Sequence, residues 1–244
     1  MFEHKGFCPI CDKETVFRSR HAWFRDHLLC ERCKSIPRER ALMKVIKDFY
    51  PNFRELKIHE SSPGGRGVSV LLGKECPGYS YSHYFPGVKP GEAGPRKVRC
   101  ENLENLTFED SSFDLIITQD VMEHIFQPEF AFKELARVLK PGGAHIFTVP
   151  IVNKPNTSRR RASLLSNGEI KHYCEPEYHG NPVDPKGSLV TVDWGFDIAP
   201  TIQEVSGLPT LLVQMDNIDL GIRAEYIEVL VSHKCDLKSP SIAL

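Results

Sequence analysis

Apolar and polar positions alternate along the chain in two registers, and their order predicts the fold. Leu42, Val45, Ile46 and Phe49 recur at i, i+3, i+4 and i+7, the apolar stripe of a helix. Ser35 can cap that helix, Pro37 suits its first turn, and Tyr50-Pro51-Asn52 ends it. Residues 56–60 read as a strand ending in the acid Glu60, followed by the glycine-rich turn Ser61-Ser62-Pro63-Gly64-Gly65-Arg66-Gly67. Residues 113–118 form a buried strand. A helix begins at Pro128 and carries Phe132, Leu135, Val138 and Leu139 on its apolar side; Lys140-Pro141-Gly142-Gly143 stops it, and residues 144–149 return as a strand. Residues 210–214 and 226–231 are two further strands, with Asp219-Leu220-Gly221 in the turn between them, and so form a hairpin. From Leu56 onward this alternation of strands and helices predicts a parallel sheet with crossover helices.

The first 35 residues carry a different signal. Cys8-Pro9-Ile10-Cys11 is followed, after 18 residues, by Cys30-Glu31-Arg32-Cys33. Each C-x-x-C lets two thiolates converge from a tight turn, and two such knuckles complete the sulfur tetrahedron that Zn²⁺ favours. Short strands at residues 15–17 and 28–29 between the knuckles complete a zinc ribbon. Four cysteines fill every coordination position, so the expected zinc is structural, with Cys8, Cys11, Cys30 and Cys33 as ligands.

Composition narrows the class. A chain of 244 residues suits one large domain, or one with a small appendage. Its net charge of -1 argues against a generally basic nucleic-acid coat. Residues 1–47 hold eleven Lys/Arg against six Asp/Glu, a mildly basic head whose excess falls further once four thiolates bind one Zn²⁺. Eight cysteines do not require a disulfide framework, because a chain of this length builds a core without staples. No stretch approaches the roughly 18 apolar residues of a membrane span, and Met1-Phe2-Glu3-His4-Lys5 lacks the apolar core of a secretory signal. The expectation is a reduced, cytoplasmic protein.

The order of the later segments carries a resemblance. Cys100-Glu101-Asn102-Leu103, then Ser112-Phe113-Asp114-Leu115-Ile116-Ile117, then Asp120-Val121-Met122-Glu123-His124, then Arg137-Val138-Leu139-Lys140-Pro141-Gly142-Gly143 resembles the class I S-adenosylmethionine-dependent methyltransferase family. The resemblance is clear over about residues 54–150 and extends to 233. It implies an α/β fold, a Rossmann-like seven-stranded methyltransferase sheet, here with a small N-terminal zinc ribbon. The domain plan becomes a zinc ribbon over 1–35, a linking helix over 36–53, and a methyltransferase domain over 54–244 with a substrate-binding insertion at about 151–200. Carried over by position, Glu60 faces the amino-acid portion of the cofactor and Gly64 is the central glycine of its turn. Asn102 and Leu103 bracket adenine, and Thr118, Gln119 and Asp120 line the pocket after the fourth strand. The family's first glycine aligns with Ser62 and its third with Arg66, unless the turn shifts so that Gly67 serves. The acid expected to hold the ribose hydroxyls is missing near residues 79–83, where Ser82 or His83 can contribute one weaker bond.

Methyl transfer from a sulfonium is an in-line displacement, and a hydroxyl or protonated amine acceptor also needs its proton removed. His124 follows the fourth strand, and His179 lies in the insertion with Tyr178, within residues 175–182; these are the expected base and positioning residue, with Asp120 as the remaining proton acceptor. Arg159, Arg160 and Arg161 offer paired donors to an anionic group on the acceptor. Three readings follow. The first is a methyltransferase acting on a hydroxyl or amine of a small-molecule or glycan acceptor. The second is an RNA methyltransferase gripping RNA through the ribbon, with Phe17, Arg18, Arg20, Trp23, Phe24 and Arg25 as its aromatic and basic residues. The third is a nonenzymatic zinc-ribbon protein fused to a pseudo-methyltransferase.

Overall fold

A computed structural model describes residues 1–181 and 183–236 of the chain; Pro182, within the expected acceptor segment, lies outside them. The N-terminal head is a three-stranded antiparallel sheet of β1 (Phe2–Cys8), β2 (Lys13–Ser19) and β3 (Leu29–Cys30). The two expected strands are present as β2 and β3. β1 was not anticipated, because its only buried residue is Cys8 and it shows no apolar face. Helix α1 (Pro37–Phe49) follows, with Pro37 at its first turn and Glu39 accepting from the Ile36 backbone N–H at 3.1 Å. Ser35, the expected cap, instead turns its hydroxyl toward the cysteines, 3.1 Å from the Cys33 sulfur.

The main body is one mixed sheet. Its strands are β4 (Ile58–Ser61), β5 (Tyr79–His83), β6 (Arg99–Cys100), β7 (Phe113–Gln119), β8 (Leu139–Thr148), β9 (Thr210–Val213) and β10 (Val229–His233). They lie in the order β9-β10-β8-β7-β4-β5-β6. The inner pairings β8-β7-β4-β5-β6 are parallel, and β10 runs antiparallel to both β8 and β9, as the hairpin reading requires. Helices α2 (Gly67–Glu75), α3 (Pro128–Val138) and α4 (Ile198–Ser206) connect the strands.

Alternation along the strands divides the core in two. Leu115, Ile117, Ile146, Val229 and Val231 face α1, α2 and the head. Ile116, Phe147 and Leu230 face α3 and α4. Such period-2 partition is what strands covered on both sides demand. The Lys140-Pro141-Gly142-Gly143 stop falls inside β8: the helix ends at Val138 and the chain pairs at once with Phe113, with a register shift before Leu115. The head shares the first core, since Cys8, Phe17, Leu28 and Cys30 pack in one cluster with Ile58 and Val68. Gly6 shows how close that docking is, because a Cβ there would lie 2.1 Å from the Asp219 carbonyl oxygen. No helix among the described residues is long and apolar enough to cross a membrane.

Candidate functional site

Parallel α/β sheets leave a crevice outside the carboxyl ends of their strands, where loops diverge to either side. Here that crevice is an open cleft of about 1300 Å³. Its floor is the β4–α2 turn (Ser61, Ser62, Gly64, Gly65), and Asn102 and Leu103 line it after β6. Gln119, Asp120 and His124 line it after β7, and His179 and Leu189 line it from the insertion. Ser62 and Asp120, at the ends of two adjacent strands, both hold left-handed backbone, with φ of 56° and 52°. Non-glycine residues in that region cost about 1–3 kcal/mol each and cluster at functional sites. A Cβ at Gly64 would meet nothing within 4 Å, so the turn leaves room above it. Gly67 plays another part: with φ of 57°, a Cβ there would strike the Glu39 carboxylate, so it is required by packing against α1.

Several expected cofactor residues stand behind the cleft wall. Glu60 is fully buried and accepts from Ser69 (2.8 Å), Tyr79 (2.7 Å) and Gln119 Nε2 (2.7 Å). Burial pushes its carboxyl upward against those three donors. It therefore orients Gln119, which does reach the cleft. Ser82 bonds His59 Nε2 at 3.0 Å and Thr118 bonds His145 Nε2 at 2.9 Å. Both hydroxyls are bonded to buried histidines and neither residue is part of the cleft lining. Burial holds His59 and His145 each at about 3, so both imidazoles are neutral. Asn102 lines the cleft while its side-chain oxygen accepts from the Glu104 N–H at 3.0 Å, which fixes the loop.

At the other end of the cleft, Asp120 accepts from Arg25 (2.6 Å) and Thr148 (2.9 Å), with Arg38 Nε at 3.2 Å. Burial alone would raise its pKa, but Arg38 and Arg25 win and hold it at about 2. An acid so pinned is an anchor for the head and a weak proton acceptor. Arg25, Arg38 and Trp23 bring the head and α1 into the cleft wall, a contribution the sequence signalled only as scattered aromatic and basic residues. His124 donates from Nδ1 to the Leu189 carbonyl at 2.9 Å. Its ring lies edge-on to His179, with centroids 5.2 Å apart. Glu123 raises the pKa of His179 against the opposing effect of partial burial. Tyr178 is exposed and outside the cleft lining. The arginine run is neutralised: Arg159 and Arg161 pair with Asp193 at 2.6 and 3.1 Å, and Arg160 with Glu129 at 3.1 Å, so none is left free to clamp an anion.

In the head, the sulfurs of Cys8 and Cys33 lie 3.6 Å apart and those of Cys11 and Cys30 3.9 Å apart. All four lie within 4.8 Å of one another. A tetrahedron with Zn–S of about 2.3 Å has edges of about 3.8 Å, so the set fits one zinc ion. Burial and the neighbouring Cys8 and Cys30 push the Cys11 thiol up to about 12.

Comparison with known proteins agrees with this frame. Residues 64–147 match the family model described as "Methyltransferase domain". The matched segment runs from the β4–α2 turn to the end of β8, about a third of the chain, and its parallel strands have the Rossmann-like arrangement described above. The chain is 30% identical over 108 residues to an "Uncharacterized methyltransferase" of Mycobacterium sp. (strain JLS), covering 38% of this chain and 42% of that protein. It is 30% identical over 116 residues to "Phosphoethanolamine N-methyltransferase 2" of Caenorhabditis elegans, covering 44% of this chain and 26% of that protein. The chain spans less than half the length of these relatives. Among solved structures, an S-adenosylmethionine dependent methyltransferase from Mesorhizobium loti shares the fold with a TM-score of 0.50 at 15% identity, over 80% of this chain and 97% of that one.

Proposed function

We propose that the protein is an S-adenosylmethionine-dependent methyltransferase acting on a hydroxyl or amine of a small-molecule or sugar-containing acceptor. The observation that carries the reading is the convergence, on one open cleft, of the β4–α2 turn, Asn102, Leu103 and Gln119 within the matched domain. Ser62 and Gly64 offer backbone to the amino-acid end of the cofactor, with Glu60 acting through Gln119. Asn102 and Leu103 flank adenine. His124 and His179 line the same cleft beyond Gln119 and would there face the proton-bearing atom of an acceptor placed next to the cofactor's methyl group. Once bound, the cofactor supplies an electrophilic methyl group. The residues of the cleft bind and orient the two reactants, and His124 and His179 are the groups that can manage the departing proton, Asp120 being held as a carboxylate by Arg25 and Arg38.

The small-molecule reading is supported by the phosphoethanolamine methyltransferase among the relatives and by the balanced charge of the chain. RNA binding is less favoured, because Arg25 and Arg38 are spent on Asp120 and Arg40 is fully buried. Cys8, Cys11, Cys30 and Cys33 hold a structural zinc in this proposal. The test is calorimetry of the intact protein with S-adenosylhomocysteine: one site is expected, weakened by Glu60→Ala. No detectable binding at millimolar ligand would move the assignment to a pseudo-methyltransferase.

A further inference from the structure

The second close cluster of ligating side chains lies at the acceptor end of the cleft and includes a residue that methyl transfer leaves unused. Glu123, His124 and His179 each offer a ligand atom, and these atoms lie within 4.8 Å of one another. Glu123 is 2% exposed, yet among the described residues neither of its carboxylate oxygens has a hydrogen-bond partner. A buried, unpaired carboxylate is costly, so its site is built for a cation or a proton. His124 Nε2 and His179 Nδ1 approach Glu123 Oε1 at 3.6 and 3.5 Å, longer than hydrogen bonds. Ligands placed about 2.1 Å from one ion in tetrahedral array would be separated by about 3.4 Å.

The outer nitrogens support the same reading. A carbonyl only accepts, so the bond from His124 to Leu189 puts the proton on Nδ1 and turns the Nε2 lone pair toward Glu123. His179 Nε2 lies 3.5 Å from Glu177 Oε1, the same separation as Nδ1 from Glu123, so with its proton on Nε2 the ring leaves Nδ1 facing the cluster. The bond from His124 is of the kind that orients metal-binding histidines. The backbone is also held: the Thr191 N–H donates to the Glu123 carbonyl at 2.7 Å, and its hydroxyl to the Ile125 carbonyl at 2.6 Å, so the insertion clamps the turn that carries two of the three ligands.

We infer that Glu123, His124 and His179 form a second metal centre, taking one divalent transition-metal ion that binds and orients the acceptor oxygen. Two imidazoles and one carboxylate suit manganese, iron(II) or zinc better than magnesium or calcium, which prefer all-oxygen shells. Three protein ligands leave coordination positions open toward the cleft, unlike the closed cysteine set. This inference rests on the methyltransferase reading. In it the two histidines serve as ligands, and acidification of the bound hydroxyl replaces a side-chain base. The acceptor O–H, bound to the ion, releases its proton to water. Its oxygen then forms the C–O bond to the sulfonium methyl, and the C–S bond breaks with its electron pair remaining on sulfur as S-adenosylhomocysteine.

The test uses the full chain with its cysteine site loaded with zinc, and manganese(II) as probe, because thiolates compete poorly for it. Free manganese is read by electron paramagnetic resonance during titration, with no turnover required. One saturable site per chain is expected, weakened at least about 10-fold by Glu123→Gln and by His179→Ala. Glu123→Gln is nearly isosteric and removes a buried charge, so circular dichroism should show it folded. No saturable manganese binding, or binding unchanged in both variants, overturns the inference. S-adenosylhomocysteine binding is measured in parallel: if it persists while manganese binding is absent, only the metal centre is lost, and if it too is absent the methyltransferase reading falls.

Discussion

Arg40 allows the sharpest test of how the head is attached. It is fully buried, and its guanidinium donates to the carbonyls of Leu28 (2.8 Å), Gly221 (2.7 and 3.0 Å) and Ser35, while lying over the Phe17 ring. One side chain thus ties the end of the head, the start of α1 and the turn before β10. Arg40→Met keeps much of the volume and removes every donor. The Ser35 carbonyl retains the Cys30 N–H at 3.0 Å, whereas those of Leu28 and Gly221 take no other bond recorded among the described residues. Two buried carbonyls left unpaired cost about 1–3 kcal/mol each. Removing a buried charge returns part of that, since burial already lowers the Arg40 pKa to about 10. A net loss of about 3 kcal/mol is expected, which for a chain of this size lowers Tm by about 6–12 °C. Thermal melts at saturating zinc, followed by circular dichroism, read the shift. Arg40→Lys should fall nearly as far, because one ammonium cannot span three carbonyls. If Arg40→Met melts within about 1 °C of the parent, the carbonyl argument is wrong and the head is held by apolar packing alone.

Three further outcomes follow from the site. Asp120 is held at about 2, below its usual 3.8, so its stabilisation is fully present above pH 4 and is lost as pH falls toward 2. Asp120→Asn should therefore cost about 2 kcal/mol at pH 7 and flatten the stability profile between pH 4 and 2, as measured by urea denaturation. Cys30→Ser combined with Cys33→Ser should lower the zinc content by one ion per chain in elemental analysis and make residues 1–35 sensitive to limited proteolysis; a double variant that keeps the parent's full zinc content refutes the assignment. Once an acceptor is found, His124→Ala and His179→Ala should each reduce turnover by about 10²–10⁴-fold with S-adenosylhomocysteine affinity retained. Full turnover in both would remove the acceptor end from this region of the cleft.

The fold was largely readable because its signals are local. Apolar runs bounded by glycine and proline located β4, β7, β8 and the terminal hairpin, and the C-x-x-C spacing brought together the four sulfurs that the head does hold close. What the sequence hid depends on which way a side chain turns. Ser82 and Thr118 sit at the strand ends where a cleft residue belongs, yet each points at a buried histidine, and a strand's period of two cannot say which face is the ligand's when both faces are covered. The arginine run reads as an anion clamp only until Asp193, more than thirty residues on, folds back against it. Glu123 gives no signal for a similar reason: an acid beside a histidine is ordinary in a sequence, and its lack of a donor among the described residues arises only once the insertion covers it.

Coupling between the head and the cleft changes how the molecule should be dissected. A boundary at residue 53 would be natural if the cysteine module were an appendage, but the core does not divide there. Phe17 and Leu28 share one cluster with Ile58 and Leu115. Arg25 and Arg38 neutralise the half-buried Asp120 at the end of β7, three residues before Glu123. Removing the first 53 residues would expose that apolar face and strip Asp120 of both of its cations. The turn carrying Glu123 and His124 starts from Asp120, so disorder there would reach the acceptor end directly. A metal-depleted head should act in the same direction through Arg25. Chelation of the cysteine site is therefore expected to weaken acceptor binding before it weakens S-adenosylhomocysteine binding, whose residues lie around the β4–α2 turn and Asn102. Calorimetry with S-adenosylhomocysteine before and after zinc removal, beside acceptor KM, separates the two; equal losses in both would mean that the head supports the whole sheet and has no preferential hold on the acceptor end.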